Sequence, residues 1–183
     1  LYTKDVTVKL LPFDNKSELS VVIDMPEGTS VEDTDAVAQA VARTVTEMPE
    51  VVSVQTHAGS ASPFNFNGLV RHYYLRAYPN QGDVQINLTP KTERDRESHE
   101  IALEIRERIN RIDVPEGTSL KTVEPPPGPP VISTLLAEVY GPDAETRRAA
   151  ATKIREAFEA VPFVVDVDDS FGVQARRLRA TIN

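Results

Sequence analysis

The sequence predicts an α+β protein: a ferredoxin-like split βαβ sandwich followed by an incomplete second βαβ unit. Three observations carry this expectation. Strand-like runs rich in β-branched residues alternate with amphipathic 3.6-period stripes, in the order β-α-β-β-α-β, up to about residue 125. A proline-rich stretch, "EPPPGPPV" (124–131), then interrupts the pattern. It reads as an extended connector, because Pro fixes φ and removes the backbone donor. Beyond it stands one amphipathic helix flanked by strand-like runs, which is half a unit.

The elements follow in order. "ELSVVIDM" (18–25) is β-branched and bounded by polar residues, a strand. Ser30 is placed to cap a helix, with Glu32 and Asp33 lending negative charge to its positive end. Val31, Thr34, Val37, Ala38, Val41, Val45 and Met48 form its apolar stripe, and Pro49 stops it. "VVSVQTHA" (51–58) is the second strand. "LVRHYYLRAYP" (69–79) fits a strand or a helix. "DVQINLTP" (83–90) alternates Val84, Ile86 and Leu88 against polar neighbours. Ile101, Ile105, Ile109 and Ile112 share one face of a second helix, whose other face is a solvated run of Glu and Arg. "SLKTVE" (119–124) is the next strand. The third helix, 143–161, starts after Pro142 with Asp143 as its cap, and "FVVDVDDSFG" (163–172) reads as a strand after it.

The word PEGTS occurs twice, at 26–30 and 115–119. The first copy leads from strand to helix, the second from helix to strand. The word therefore encodes only a turn, in which Pro sets φ and Gly permits a positive one. The residues that follow decide the outcome.

Composition excludes several functions. The 183 residues are 40% hydrophobic and 26% charged, ordinary for a globular chain. The net charge of −8 disfavours nucleic acid and anionic membrane surfaces, which need a positive patch. Without Cys there is no disulfide, thiolate nucleophile or Cys-ligated metal. His57, His72 and His99 lack the spacing of a helical metal site, although His57 approaches His72 if their strands pair; His99 reads as solvated. "DVDDS" (166–170) is short of oxygen ligands for a calcium loop and reads as a polar strand face, Asp166 and Asp168 together, running into a turn. No catalytic motif occurs, so an enzyme, a cofactor and a bound metal are not expected. The ends, Leu1 and "RATIN", read as those of a piece of a longer chain.

"SPFNFN" (62–67) is the most informative loop. Phe64 and Phe66 are two of only six Phe, set in a polar segment without a core pattern. Such aromatics either cover a core or touch a ligand.

Four stretches, taken in order, resemble the periplasmic porter region of the resistance–nodulation–division (RND) efflux permeases, hydrophobe/amphiphile branch, after the seventh transmembrane helix. They are "LLPFDNKSELSVVIDMPEGTSVEDT", "VVSVQTHAGSASPFNFNG", "EPPPGPPVISTLLAEVYGPD" and "VPFVVDVDDSFG…RRLRATIN". The resemblance implies a lead-in from a membrane helix at 1–17, a first porter subdomain at 18–125, and the first part of a second at 126–183, running toward a docking domain. It implies that Phe64 and Phe66 lie on a switch loop between drug pockets, with Ser20 and Val22 as further substrate contacts from the first strand. This chain has Asn65 and Asn67 where the family loop is Gly-rich. The implied protein is a proton-driven homotrimer of the bacterial inner membrane, with this segment in the periplasm. Its implied partners are hydrophobic small molecules, the other porter subdomains, a periplasmic adaptor and an outer-membrane channel. The residues by themselves also fit a free-standing ferredoxin-like binding or regulatory module.

Overall fold

The computed structural model describes residues 15–63, 75–125 and 135–171. Four strands, β1 (Glu18–Asp24), β2 (Val51–Ala58), β3 (Gln81–Leu88) and β4 (Ser119–Val123), form one sheet in the order β2-β3-β1-β4. Every neighbouring pair is antiparallel. Helix α1 (Val31–Thr46) connects β1 to β2, and helix α2 (Ser98–Ile109) connects β3 to β4. This is the split βαβ arrangement, and the α+β expectation holds. A third helix, α3 (Ala144–Glu159), follows.

Local chemistry sets the boundaries. Ser30 Oγ accepts from Asp33 N at 3.1 Å and donates to Asp33 Oδ2 at 2.8 Å, so the expected cap forms at α1. At α3 Asp143 Oδ1 accepts from Thr146 N at 2.7 Å. The cap of α2 was not anticipated: Glu97 N donates to Glu100 Oε2 at 3.0 Å, the reciprocal half of a capping box. Both PEGTS copies make the same turn. Thr29 N donates to Pro26 O and Thr118 N to Pro115 O, at 3.2 and 3.1 Å, with Gly28 and Gly117 at φ of 92° and 83°. A side chain at either glycine would be strained.

The core lies between the sheet and α1 and α2. Leu19, Val21 and Ile23 of β1, Val84 and Ile86 of β3, Val37, Ala38, Val41 and Val45 of α1, and Ile101, Ile105 and Ile109 of α2 are all buried there. The stripes read for α1 and α2 are those that pack, except that Val31, at the start of α1, is 39% exposed. Met48, just after α1, closes one end of the core.

The second unit departs from expectation. Residues 163–171 carry no strand, and 135–140 carry none either. A strand needs a neighbour to hydrogen-bond with. Here the chain turns at 161–163, and Asp166 takes a φ of 55°, which breaks an extended run. Helix α3 buries only Ala151 of its own residues, while Tyr140 and Phe163 are each 84% exposed. The described part of the ambiguous stretch, 75–79, is neither strand nor α-helix.

Packing, more than capping, holds α2 and α1 on the sheet. An Ile105→Ala change, which empties a fully buried site, is expected to lower unfolding stability by about 3 kcal/mol. Ser30→Ala, which removes only a cap, is expected to lower it by about 1 kcal/mol. Urea denaturation of the two variants measures both; equal losses would contradict this ranking.

Candidate functional site

Side chains alternate along a strand, so the residues between the core positions point to the sheet's other face. That face is not covered by α1 or α2. Register lines it up in rows: His57, Asp83, Val22 and Lys121 in one, Gln55, Gln85, Ser20 and Val123 in the next. Asn87 and Ser53 continue it, joined by a 3.0 Å hydrogen bond from Asn87 Nδ2 to Ser53 Oγ. The face is thus mostly polar, with amides and two hydroxyls at one end, charges at the other, and Val22 and Val123 among them.

The charged end is a connected network. Arg76, from the segment that returns to β3, places Nη1 2.7 Å from Asp24 Oδ1 and Nη2 2.7 Å from the carbonyl oxygen of Ile23. Its Nη2 also reaches Gly82 O at 3.3 Å, and its Nε lies 3.4 Å from Asp83 Oδ1. Asp83 Oδ2 accepts from the backbone N–H of Ser62 at 3.3 Å. Lys121 Nζ sits 3.1 Å from Asp24 Oδ2 and pairs with Asp168 on its other side. His57 Nε2 is buried without a hydrogen-bond partner among the described residues.

The two strand carboxylates respond oppositely to this setting. Burial works to raise the Asp24 carboxyl, but the Arg76 and Lys121 charges together outweigh it and hold it below the ordinary value. At Asp83 burial wins: with the Arg76 charge and Ser62 only partly compensating, its carboxyl is pushed up. Burial also opposes the charge on Lys121, yet Asp24 and Asp168 keep its ammonium above the ordinary value.

The sequence-derived site residues fare differently. Ser20 and Val22 stand two positions apart on the free face of β1; Ser20 is half-buried and Val22 is 2% exposed, in register between Asp83 and Lys121. Phe64 and Phe66 lie outside the described residues, as does His72. His99 is not simply solvated, as expected from its charged helix: its Nδ1 lies 3.0 Å from Glu124 Oε1. The DVDDS carboxylates do not share a strand face. Asp166 accepts from Arg106 Nη2 at 2.8 Å and Nε at 3.1 Å, Asp168 pairs with Lys121, and Asp169 lies 3.6 Å from Arg155. Sequence reasoning missed Arg76, Asp24 and Asp83. Asp83 sits in a clean alternating strand, which was the available signal: a charge on the side opposite Val84 and Ile86 needs a partner. Arg76 lies in the ambiguous stretch and gave none.

The chemistry available here is ionic and hydrogen-bonding. Among the described residues no group of three or more His, Asp or Glu is placed to hold a metal ion. No described helix is long and apolar enough to cross a membrane. Two shallow depressions lie on outer helix surfaces. The larger, about 690 Å³, runs along α2 between Arg96, Glu104 and Arg108. Glu104 pairs with both arginines there, at 2.6 and 2.7 Å, so it is the solvated ionic face read from the sequence.

Comparison with known proteins gives a consistent picture. The profile of the AcrB/AcrD/AcrF family matches residues 2–183. No curated protein matches the sequence. Among solved structures, two crystal forms of a heavy metal efflux pump share the fold. One aligns with a TM-score of 0.60 at 22% identity over 83% of this chain, the other with 0.63 at 21% over 84%. The chain spans 16% of the length of each.

The Asp24 charge pairs predict a pH dependence. A carboxyl held below its ordinary value of 3.8 contributes stability that is fully present above that pH. The contribution is lost as pH falls through the lower, folded-state value. Asp24→Asn is therefore expected to be less stable than wild type at neutral pH, with the gap narrowing only below about 3.8. Urea midpoints from pH 7 down to 3 measure it; a gap that closes near neutrality would contradict the pairing.

Proposed function

The chain belongs to the AcrB/AcrD/AcrF family, a family of RND efflux transporters, and on that premise we propose that it is a periplasmic substrate-binding porter segment of a proton-driven RND permease that exports hydrophobic or amphiphilic compounds. The observation that carries the reading is the end-to-end family match, from residue 2 to 183, over a chain whose four motifs run in the family's order. It favours a pump segment over a free-standing ferredoxin-like module.

In this reading residues 18–125 are the first porter subdomain and 126–183 the opening of the second. The work divides between the two faces of the sheet. Helices α1 and α2 make one side a rigid layer, which can shift as a body without repacking. The free face, with Ser20 and Val22 on its central strand, is turned toward the substrate path. Phe64 and Phe66 provide apolar contact area that tolerates ligands of varied shape. Proton movement belongs to the membrane part of the pump. The working unit is a homotrimer in the inner membrane, joined by a periplasmic adaptor to an outer-membrane channel. The heavy metal cargo named for the structural relatives is theirs; the reading here remains with hydrophobic and amphiphilic compounds.

The test is a Phe64→Ala, Phe66→Ala double substitution in the full-length permease. It is expected to weaken binding of a hydrophobic dye about tenfold, equivalent to ~1.4 kcal/mol, and to slow dye export, while the thermal unfolding midpoint stays nearly unchanged. Loss of stability with binding intact would show the two rings to be core residues instead.

A further inference from the structure

We propose that the turn at 166–169 is a releasable ionic latch: Asp166 and Asp168 clip the second unit to the edge of the first, and the clip can open without leaving an unpaired buried charge behind. The latch rests on described residues alone and is independent of which compounds the pump exports.

The carboxylates of the turn divide between the two units. Asp166 Oδ2 accepts from Arg106 of α2, from Nη2 at 2.8 Å and from Nε at 3.1 Å. Asp168 pairs with Lys121 of β4. Asp169 faces the other way: its Oδ2 lies 3.6 Å from Arg155 Nη1 of α3, and its Oδ1 accepts from Phe171 N at 2.8 Å. The Phe171 ring in turn lies beneath Arg148 of α3, whose Cζ is 4.9 Å from the ring centroid. Asp169 and Phe171 thus fasten the turn to α3, while Asp166 and Asp168 fasten it to the first unit. The φ of 55° at Asp166 goes with this division. In an extended run residues 166 and 168 would share one face; here one reaches α2 and the other reaches the free face at β4. Asp is among the few residues that take a left-handed conformation at small cost.

Three observations make the clip releasable. Each cation keeps a second partner: Lys121 Nζ also lies 3.1 Å from Asp24 Oδ2, and Arg106 Nη2 also reaches Thr122 O at 3.4 Å. Removing one member of a buried pair is costly because it strands the other; here neither cation is stranded. The Asp166 and Asp168 side chains are already 22% and 38% exposed, so their return to water requires little change. Apolar contact does not seal the junction among the described residues: Phe163 and Val165, just before the turn, are exposed, and α3 buries only Ala151. Pairs of this exposure each contribute little and weaken with salt. A junction poor in apolar contact leaves its two sides free to move relative to one another.

The test is the distance between two spin labels in the full-length permease, at Glu107→Cys on α2 and Lys153→Cys on α3, in a background with no other Cys. Both positions are exposed and outside the latch. At low salt wild type is expected to give one narrow distance. At about 1 M salt, where the Debye length is about 3 Å, a more widely separated population is expected to grow about tenfold. The Asp166→Asn, Asp168→Asn double variant removes the charges and keeps the left-handed turn, which Asn tolerates. It is expected to show the separated population already at low salt and to respond no further. Amide exchange protection of β1, α1 and α2 is expected to stay at the wild-type level in this variant, because Lys121 and Arg106 keep their other partners. A wild-type distance that ignores salt overturns the latch, as does an unchanged distance in the double variant. So does a broadened distance accompanied by lost protection across the first unit, because that marks the turn as part of that unit's fold. A Phe64/Phe66 variant with unaltered dye binding would remove the substrate reading and leave the latch standing.

Discussion

Strand β1 is paired on both sides, with β3 and with β4, and is buried at Leu19, Val21 and Ile23 on its helix-facing side and at Val22 on the other. That constraint governs the rest. Leu19, Val21 and Ile23 must be apolar because α1 and α2 close over them. On the opposite face Val22 stands between Asp83 on one side and Lys121 on the other, and Asp24 pairs with Arg76 and Lys121. A central strand with one apolar and one ionic side fixes its own register, since a slip of one residue would put Asp24 into the helix-facing core. The cost of burying an unpaired carboxylate there would be prohibitive.

The ionic side is balanced by distribution more than by number. Three carboxylates, from Asp24, Asp83 and Asp168, face two cations, Arg76 and Lys121. Asp24 touches both cations and is stabilised as the ion. Asp83 touches one and is not. The same burial therefore produces opposite shifts in two carboxylates of one network, and the difference comes from how many opposite charges each meets. That asymmetry leaves Asp83 as the carboxylate of the face that burial pushes up.

The edge of the sheet beyond β4 is handled by charge as well. Asp166 pairs with Arg106 of α2, which also reaches Thr122 O at 3.4 Å, and Asp168 pairs with Lys121. The two carboxylates thus engage opposite sides of the edge strand, one toward the helices and one toward the free face. Fork-like pairing by Arg106 gives the 166–168 turn a defined position despite the positive φ at Asp166. Helix α3 contributes little burial to this junction. Among the described residues Asp166 and Asp168 join the second unit to the first by ion pairs, while Phe163 and Tyr140 are exposed.

Much of the first unit was determined by local pattern. Periodicity marks α1 and α2 because their stripes face a common core, and the caps at Ser30 and Asp143 need only neighbours in sequence. The two PEGTS turns were equally local, since Pro26 with Gly28 and Pro115 with Gly117 close on themselves. Alternation marked β3 for the same reason. What alternation could not decide was the run after α3: "FVVDVDDSFG" has the side-chain pattern of a strand, but a strand exists only where a neighbouring strand pairs with it, and among the described residues 163–171 pairs with none. The ionic face was also invisible, because Asp24, Asp83 and Arg76 are separated by 52 to 59 positions or by an ambiguous stretch, and only folding brings them within bonding distance. Short-range geometry is written in the spacing of residues; the partner of a buried charge is chosen by the fold.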